Sequence, residues 1–465
     1  MNSVAIIGAG ITGLTAAYRL QECGVPVTVY EAGDHVGGVI RSVRENGYLA
    51  ESGPNSILET SPKINSLIQD LGLSHRRVDS LPTAENRYVV RFQRPVLLPA
   101  SPVTFFGTPL FSWRAKLRLL REPFIPPAPA AAEESVAQFV LRRLGPEFLD
   151  YAINPMVAGV YAGNPAQLSV KHAFPKLHAL EQKYGSLIKG QFLGAKERRQ
   201  RGEVSKQMAK KLSFDTGLQV LPDTLAAQLE NSIQLRTAIL RIEAAGAGWK
   251  LHLQTNGHAE WRGHAAVVYA APAHRLPAIQ LTAAPDLNPA TLKEIYYPPV
   301  ASVVLGFRRD TVSHPLNGFG MLIPEVEGFR ILGTLFSSSL FRGRAPDGHV
   351  TLTTYIGGAR APELALRPTN ELIEMTLQDL RIILGVTGRP TFEHVVVYPQ
   401  AIPQYEVGYG RFKDLMRDIE TRAPGLFFAG HFRDGISLGD SLVSGHDMAE
   451  RVASFWKSLT MKSES

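Results

Sequence analysis

The run Val4-Ala-Ile-Ile-Gly8-Ala-Gly10-Ile-Thr-Gly13 decides the fold, because an apolar strand-like segment leads directly into glycines spaced G-x-G-x-x-G. A helical stretch continues through Leu20, and a second apolar run, Val27–Tyr30, ends at Glu31. In this setting the glycines permit a tight turn, close approach of a pyrophosphate and close helix–strand packing, while the acid accepts hydrogen bonds from a ribose. The sequence therefore predicts a Rossmann-like βαβ unit that binds a dinucleotide.

Composition places the 465-residue chain among ordinary globular proteins, with 45% apolar and 20% charged residues. This composition excludes an intrinsically disordered, a collagen-like and a coiled-coil protein. Cys23 is the only cysteine, so an internal disulfide and a cysteine-rich metal site are excluded as well, and we predict no metal. A basic start followed by an apolar core is not seen, so we expect no signal peptide and a cytoplasmic protein.

The net charge of +7 is concentrated in one part of the chain. Residues 76–121 contain nine basic and two acidic residues, which equals the excess of the whole chain. Within this part, Pro95 to Trp113 carries no charge over 19 residues, but four prolines and Gly107 argue against a transmembrane helix. A second basic run, Lys196 to Lys211, is interpreted as a solvated surface.

A candidate membrane-surface helix follows the uncharged stretch. Trp113, Leu117 and Leu120 have helical spacing. The bases beside them are Arg114, Lys116, Arg118 and Arg121. This pattern favours peripheral binding to an anionic membrane, with a solvated surface as the alternative, and nothing supports nucleic-acid binding.

The middle of the chain has helix signals and the remainder has strand signals. We predict a helix over residues 64–71, a capping box from Ser135 and Gln138, and a helix from Pro146 that Asn154-Pro155 closes. Phe124 to Ala132 is predicted to be a linker, because consecutive prolines favour an extended chain. After about Leu212, short β-branched or alternating segments predict strands.

Two further glycine-containing segments indicate which dinucleotide is bound. In the first segment, Gly37, Gly38 and Arg41 follow Glu31, and the βαβ pattern does not continue there. In the second, near the C-terminus, a strand that ends at Gly430 precedes Ile436-Ser-Leu-Gly439. Together with the N-terminal motif, this arrangement resembles the flavin-binding amine oxidase and protoporphyrinogen oxidase superfamily.

The resemblance narrows to the protoporphyrinogen oxidase family and is closest to its plant-type, membrane-associated branch. It rests on the order of five segments, which are Asn86-Arg87-Tyr88-Val-Val-Arg91 with Val96-Leu-Leu-Pro99, Asn154-Pro-Met-Val-Ala-Gly159, Gly163-Asn-Pro-Ala-Gln-Leu-Ser169, Gly333-Thr-Leu-Phe-Ser-Ser338 and Thr353-Thr-Tyr-Ile-Gly-Gly358. The implied fold class is α/β (α+β), with a Rossmann-like FAD-binding domain, a mixed-sheet substrate domain and an inserted helical membrane-associated domain. The implied ranges are 1–78, 262–282 and 396–465 for FAD binding, 193–261 and 283–395 for substrate, and 83–192 for the helical domain.

The resemblance implies a set of FAD-binding residues, with Arg41 assisting the pyrophosphate and Ile239 contacting the adenine. The set is Gly8, Gly10, Ile11, Thr12, Gly13, Glu31, Ala32, Gly37, Gly38, Arg41, Gly53, Pro54, Asn55, Ile239, Gly430, Ser437 and Leu438. Strand core is an equal interpretation of Ile239. Asp215-Thr216-Gly217-Leu218 departs from the family, which usually has paired glycines there.

The resemblance also implies the residues that hold a tetrapyrrole. Arg87 matches an arginine that pairs with a propionate, and Gly159 matches a glycine whose carbonyl accepts from pyrrole N–H groups. Leu322 and Leu335 match the apolar residues that sandwich a ring, and Asn55 matches an asparagine near the reactive flavin nitrogen. Tyr355 is a departure, because the plant-type branch has phenylalanine at this stacking position, and its hydroxyl needs a partner if buried.

The implied function is FAD-dependent oxidation of protoporphyrinogen IX to protoporphyrin IX in heme biosynthesis, with three two-electron cycles and oxygen as acceptor. Coproporphyrinogen III is the alternative substrate. A noncovalent amine oxidase and a flavin- or porphyrin-binding protein without turnover are also retained, whereas covalent flavin attachment near the C-terminus is excluded because the only cysteine is Cys23. The sequence does not determine the oligomeric state, and a homodimer is retained as a hypothesis.

Overall fold

The structure is a computed structural model that describes residues 2–129, 132–200, 209–246, 248–282 and 288–463. The predicted βαβ unit is confirmed, because strands Val4–Ile7 and Val27–Tyr30 pair in parallel and helix Ile11–Glu22 joins them. They lie in a parallel five-stranded sheet with the order Ile233–Gln234, Val27–Tyr30, Val4–Ile7, Ala266–Tyr269 and Leu426–Phe428. The strands of this sheet thus come from widely separated parts of the chain.

A mixed seven-stranded sheet forms the second layer of the molecule. Its order is Phe392–Tyr398, Val300–Arg308, His349–Gly357, Ile331–Leu335, Gly320–Leu322, Arg87–Arg91 and Arg94–Leu97. Strand Arg87–Arg91 runs parallel to Gly320–Leu322, and the other neighbours are antiparallel. Helix Thr369–Leu384 shares one hydrophobic core with one face of the sheet, which leaves the opposite face for other contacts.

Three smaller sheets connect these layers. One has the order His258–His264, Gly248–Thr255, Thr237–Ala245 and Gln280–Thr282, the second pairs Ser42–Glu45 with Tyr48–Glu51, and the third has the order Ile57–Leu58, Lys211–Phe214 and Arg77–Asp79. The third sheet brings residue 211 next to chain segments that lie more than 130 positions earlier.

The region from residue 102 to 200 is helical. Its elements are Pro102–Gly107, Trp113–Arg118, Val136–Arg143, Pro146–Phe148, the π-helical turn Leu149–Ile153, Asn154–Tyr161, Val170–Ala173, Pro175–Tyr184 and Leu187–Gln200. The prediction that Asn154-Pro155 closes a helix is wrong, because helical backbone continues through the π turn and Pro155 stands in the first turn of Asn154–Tyr161. The proline is tolerated there because the π turn directly before it already interrupts the regular α-helical hydrogen bonding in which its missing N–H would take part.

The predicted helix at residues 64–71 is confirmed as Pro62–Asp70, and the capping box of Ser135 and Gln138 is formed. The remaining α-helices are Val220–Leu229, Ser337–Leu340, Pro362–Ala365, Gly410–Arg422 and Leu438–Ser463. Short 3₁₀ segments are Leu73–Arg76, Pro82–Glu85, Leu119–Phe124, Glu230–Ser232, Ala273–Ala278, Pro289–Glu294, Arg309–Thr311 and Glu325–Glu327. The predicted linker reaches residues 130 and 131, which lie outside the described residues.

A buried ionic cluster ties the helical region together. The carboxylate of Glu122 accepts hydrogen bonds from Arg143 Nη1 at 3.1 Å, Ser186 Oγ at 2.5 Å and the backbone N–H of Leu187 at 2.9 Å. Arg143 also donates to Glu181 at 2.5 Å, and all three charged side chains are buried. Burying a charge costs free energy unless the charge is paired and hydrogen-bonded, so this cluster restrains how the helices pack.

Within the ranges that the structure describes, no helix combines the length and apolar character that crossing a bilayer requires. The apolar residues of the predicted surface helix are nevertheless exposed, since Trp113, Leu117 and Leu120 are 59–64% accessible. The prediction that Lys116 faces lipid or solvent is wrong. Its ammonium is buried and donates to the backbone carbonyls of Phe106 and Thr108, because the loop before the helix folds back over it.

Candidate active site

The turn between strand Val4–Ile7 and helix Ile11–Glu22 forms a glycine cradle. Gly8 has a φ of +105°, and a methyl group at Gly13 would collide with the Gly8 carbonyl oxygen, so the turn and helix touch through their backbones. A methyl group at Gly10 would meet no atom within 4 Å, and Gly10 caps the helix without a side-chain hydrogen bond. The first backbone N–H groups of the helix have no partner within the helix, and they lie near this open space at the positive end of the helix dipole.

Glu31 and the second glycine pair complete this cradle. The Glu31 carboxylate accepts from the backbone N–H of Ala9 at 2.8 Å and of Gly33 at 2.7 Å, which orients it at the end of its strand. Gly37 bridges to Gly10, and a methyl group at Gly38 would come 3.6 Å from the Gly10 Cα. Ala32 beside them is exposed.

The C-terminal segment approaches the same turn. Gly430, with a φ of +112°, donates its N–H to Ser444 Oγ at 3.0 Å, and Thr12 donates to the Ser441 carbonyl at 3.1 Å. Ser437 and Asp440 exchange backbone-to-side-chain hydrogen bonds at the start of helix Leu438–Ser463. The predicted N- and C-terminal cofactor motifs therefore meet at one place in the fold.

Other predicted cofactor residues lie around this region with different exposures. Gly53 packs against the Val39 carbonyl, with Pro54 half-buried beside it. Arg41 is exposed and lies near Tyr398, whose pKa burial raises to about 12 while Arg41 opposes the shift. Ile239 is buried in a hydrophobic core cluster, so its adenine contact remains a prediction.

One face of the seven-stranded sheet carries the predicted substrate residues. In the strand register, Arg87, Gly320 and Leu335 are cross-strand neighbours and form one row. Two residues further along the strands, a second row consists of Val89, Leu322, Gly333 and Tyr355. Side chains two residues apart project to the same face, so Arg87, Leu322, Leu335 and Tyr355 share it. All four are half-buried, in contrast with Met321 and Thr334 on the other face, which are buried.

The dimensions of this face suit a large flat ligand. Three strand spacings separate Arg87 from Tyr355, which is about 14 Å at roughly 4.8 Å per strand. Gly159 lies over the face from helix Asn154–Tyr161, and a methyl group there would collide with Leu322 Cδ2. A predicted backbone acceptor and a predicted apolar residue are thus in contact.

The hydroxyl of Tyr355 has the partner that its burial demands. Asn55 Nδ2 donates to Tyr355 Oη at 2.6 Å, and burial raises the pKa of this phenol well above its usual value. The hydroxyl is therefore neutral at physiological pH, and it holds the Asn55 amide in one orientation. This bond links the Gly53-Pro54-Asn55 segment to the sheet face.

Lys211 is a functional candidate that sequence reasoning missed. Its ammonium lies 5.7 Å from the centroid of the Phe319 ring, and the guanidinium carbon of Arg87 lies 6.0 Å from the same ring. Burial and the nearby Arg87 charge lower the pKa of Lys211 while Glu85 opposes that shift, and burial lowers the pKa of Arg87. Two desolvated cations therefore stand together at one end of the sheet face, where they favour an anion.

Glu51 is the second residue that sequence reasoning missed. It ends strand Tyr48–Glu51, in which all four residues are buried, and burial raises the pKa of its carboxyl to about 7. Glu51 shares a small cavity with Asn55. A charged residue directly before Ser52-Gly-Pro-Asn55, in an otherwise apolar strand, was the available signal.

Residues 11–453 match the family of flavin-containing amine oxidoreductases, and the chain belongs to this family. The chain is therefore a flavin-dependent oxidoreductase, and its cofactor is FAD. Over 98% of its length it is 36% identical to protoporphyrinogen oxidase 2, chloroplastic/mitochondrial, of Arabidopsis thaliana, of which it covers 95%. It is 30% identical to the coproporphyrinogen III oxidase of Bacillus subtilis, with 95% of this chain and 96% of that protein covered.

A crystal structure of an Exiguobacterium sp. 255-15 protein has the same fold. It superimposes with a TM-score of 0.80 at 25% identity and covers 97% of this chain and 98% of that one. The α/β fold class predicted from the sequence is confirmed. The domain boundaries, the individual site residues and the assignment of the helical insert to a membrane remain predictions.

The glycine cradle fits FAD. The open space at Gly10, at the N-terminus of helix Ile11–Glu22, suits a pyrophosphate, and the oriented Glu31 carboxylate suits a ribose. Gly430 and the start of helix Leu438–Ser463 add a second set of backbone donors nearby. These residues would hold the dinucleotide, and Asn55 contacts the sheet face through Tyr355.

Proposed function

We propose that the protein oxidises protoporphyrinogen IX to protoporphyrin IX in heme biosynthesis. The observation that carries this proposal is the sheet face, on which two cations stand at one end and apolar residues occupy the middle. FAD, when bound, supplies the hydride acceptor for three two-electron oxidations, with oxygen as the final acceptor. No cysteine near the C-terminus is available, so a cysteinyl link to the flavin is excluded there.

The residues of the chain bind and orient the substrate in this proposal. Arg87 and Lys211 pair with the propionates, because charge-assisted hydrogen bonds to carboxylates are strong when both groups are desolvated. Leu322 and Leu335 pack on the macrocycle, and the Gly159 carbonyl accepts from pyrrole N–H groups. Tyr355 stacks at the far end of the face, and the hydrogen bond from Asn55 fixes its position there.

The two cations favour protoporphyrinogen over coproporphyrinogen III. Protoporphyrinogen has two carboxylates and coproporphyrinogen has four, so the latter would leave two charges over the apolar part of the face. The higher identity to the protoporphyrinogen oxidase relative supports the same preference.

Anaerobic mixing of the FAD-loaded protein with each porphyrinogen tests the proposal. We expect protoporphyrinogen IX to bleach the flavin absorbance and to do so with a higher kcat/KM than coproporphyrinogen III. Faster bleaching by coproporphyrinogen would assign the alternative substrate. If neither compound bleaches the flavin but both bind, the protein is a carrier without turnover, and bleaching by amines alone would identify an amine oxidase.

We further propose that the protein binds an anionic membrane surface through one exposed patch. The patch consists of Trp113, Leu117, Leu120 and Phe124, of which Phe124 is 84% exposed. The exposed bases Arg114, Arg118 and Arg121 surround it. Aromatic and leucine side chains beside arginines suit the boundary between headgroups and acyl chains. A cytoplasmic protein at the membrane surface could release its apolar product into lipid, and a homodimer remains a hypothesis.

Replacing Trp113 and Phe124 together with serine is expected to weaken binding to vesicles that contain anionic lipid by at least tenfold. Burial of each aromatic side chain contributes about 1.5–3 kcal/mol, and both would be lost. Sedimentation with vesicles measures the partition. Leu366 lies outside the patch and is as exposed as Leu117 within it, so Leu366→Ser should leave binding unchanged. Equal binding by the double variant and the wild type would refute the membrane role of this patch.

A further inference from the structure

A small cavity lies beside the predicted substrate position on the same face of the seven-stranded sheet. Its lining residues are Leu49, Glu51, Asn55, Ser337, Leu340, Phe341, Arg344 and Thr353. Thr353 stands opposite Leu335 in the sheet, and Asn55 bonds to Tyr355, so these two residues connect the cavity with the predicted substrate position. The cavity has room for about one water molecule and enough polar groups to hold it.

Glu51 is the acidic residue of the cavity lining. Its carboxylate accepts from Ser42 Oγ at 2.6 Å and from the backbone N–H of Leu218 at 2.9 Å, and Arg344 Nη1 lies 3.5 Å from it. Arg344 donates through its other terminal nitrogen to Ser213 Oγ, while Nη1 makes no hydrogen bond among the described residues. An arginine that is 97% buried therefore presents an unused donor next to the Glu51 carboxylate and the cavity.

The charge of Glu51 is finely balanced. Burial raises the pKa of its carboxyl to about 7, and Arg344, the Ser42 hydroxyl and the Leu218 N–H oppose that rise. Two further residues are coupled to this pair. The charge of Arg44 adds to burial in lowering the pKa of Arg344, and the charge of Glu51 adds to burial in raising the pKa of Tyr355. A carboxyl balanced in this way can take up and release a proton under physiological conditions.

We propose that Glu51 is the internal acceptor of the protons that the tetrapyrrole releases, which reach it through water in this cavity past Asn55. The inference rests on the proposed porphyrinogen oxidation. Over the three cycles the substrate transfers three hydrides from meso carbons to the flavin and releases three protons, of which two come from pyrrole N–H groups and one from the fourth meso carbon after tautomerisation, and the macrocycle becomes fully conjugated. Each proton passes to the Glu51 carboxylate, which becomes a neutral acid and later releases the proton to solvent.

The sign of the pH dependence follows from this role. Only ionised Glu51 accepts a proton, so flavin reduction should accelerate as the pH rises through about 7 and level off above it. Glu51→Gln keeps the size of the side chain but cannot take up the proton. We expect this variant to reduce its flavin at least tenfold more slowly at pH 8, with no inflection near pH 7.

Two measurements on the FAD-loaded protein test the assignment. Stopped-flow flavin reduction from pH 5.5 to 9 gives the kinetic profile, and infrared difference spectroscopy without substrate follows the carbonyl band of a protonated carboxyl. The band should disappear with a midpoint near pH 7 in the wild type and be missing from Glu51→Gln. Glu393→Gln is the matched control, since Glu393 is an exposed glutamate in strand Phe392–Tyr398 that does not line the cavity, and it should behave as the wild type in both measurements.

A second variant keeps the proposal testable if Glu51→Gln folds poorly. Arg344→Met removes the cation that stabilises the carboxylate, so both midpoints should move to higher pH. An unchanged kinetic profile in Glu51→Gln, or a wild-type midpoint that Arg344→Met does not move, would overturn the role of Glu51. Failure of the wild type to bleach with any porphyrinogen would instead overturn the proposed function, while the infrared titration would still report on Glu51.

Discussion

Replacing both Arg87 and Lys211 with methionine is expected to raise the Michaelis constant for protoporphyrinogen at least 100-fold. The two cations share the Phe319 ring, and both are desolvated, so each should form a strong hydrogen bond to a substrate carboxylate. A hydrogen bond to a charged group contributes about 1.5–3 kcal/mol, which corresponds to roughly 10- to 100-fold for each single replacement. Methionine keeps the length and apolar character of the stems, so the change is mainly one of charge.

The chain offers a matched control for each cation. Lys210 precedes Lys211 and is exposed, and Arg94 is exposed on the strand beside Arg87. Lys210→Met and Arg94→Met should leave the Michaelis constant within about twofold of the wild type. Steady-state kinetics measures the constant, and fluorescence quenching by protoporphyrin gives an independent dissociation constant. If the double variant binds product as tightly as the wild type, the two cations do not hold the propionates.

The parts of the fold that depend on local backbone rules could be predicted from the sequence. The turn from Gly8 to Gly13 needs residues without a side chain at fixed spacing, and the capping box of Ser135 needs Gln138 three positions later. Such requirements involve a few neighbouring residues and therefore leave a direct pattern. The helix break predicted at Asn154-Pro155 failed because the chain inserts a π turn before it, which no local pattern signals.

The substrate face shows where local patterns stop being informative. Arg87 and Tyr355 lie 268 positions apart and meet on one face only through the register of four strands. Lys211 ends a basic run, which favours a solvated surface, but it begins a buried strand whose partners are Ile57–Leu58 and Arg77–Asp79. Lys116 was misjudged for the same reason. Burial of a long cationic side chain depends on which carbonyls the tertiary fold brings to it.

Replacing Gly10 and Gly13 separately with alanine is expected to separate cofactor binding from folding. A methyl group at Gly13 would collide with the Gly8 carbonyl, and backbone cannot rotate away as a side chain can, so Gly13→Ala should lose FAD and also lower the melting temperature by several degrees. A methyl group at Gly10 meets open space, so Gly10→Ala should keep the stability of the apoprotein within about 0.5 kcal/mol. It should nevertheless bind FAD at least tenfold more weakly, because the methyl group would occupy the place of the pyrophosphate.

Gly24→Ala is the control for a general effect of glycine replacement near the same helix. Gly24 has a φ of +72° and open space around a methyl group, so this variant should lose about 1 kcal/mol of stability through backbone strain and bind FAD normally. Titration of the apoprotein with FAD, followed by flavin fluorescence, gives the dissociation constants, and thermal unfolding of the apoprotein gives the stabilities. Normal FAD binding by Gly10→Ala would show that the pyrophosphate does not approach Gly10. A stability loss in Gly10→Ala equal to that of Gly13→Ala would show that weaker FAD binding reflects damage to the fold.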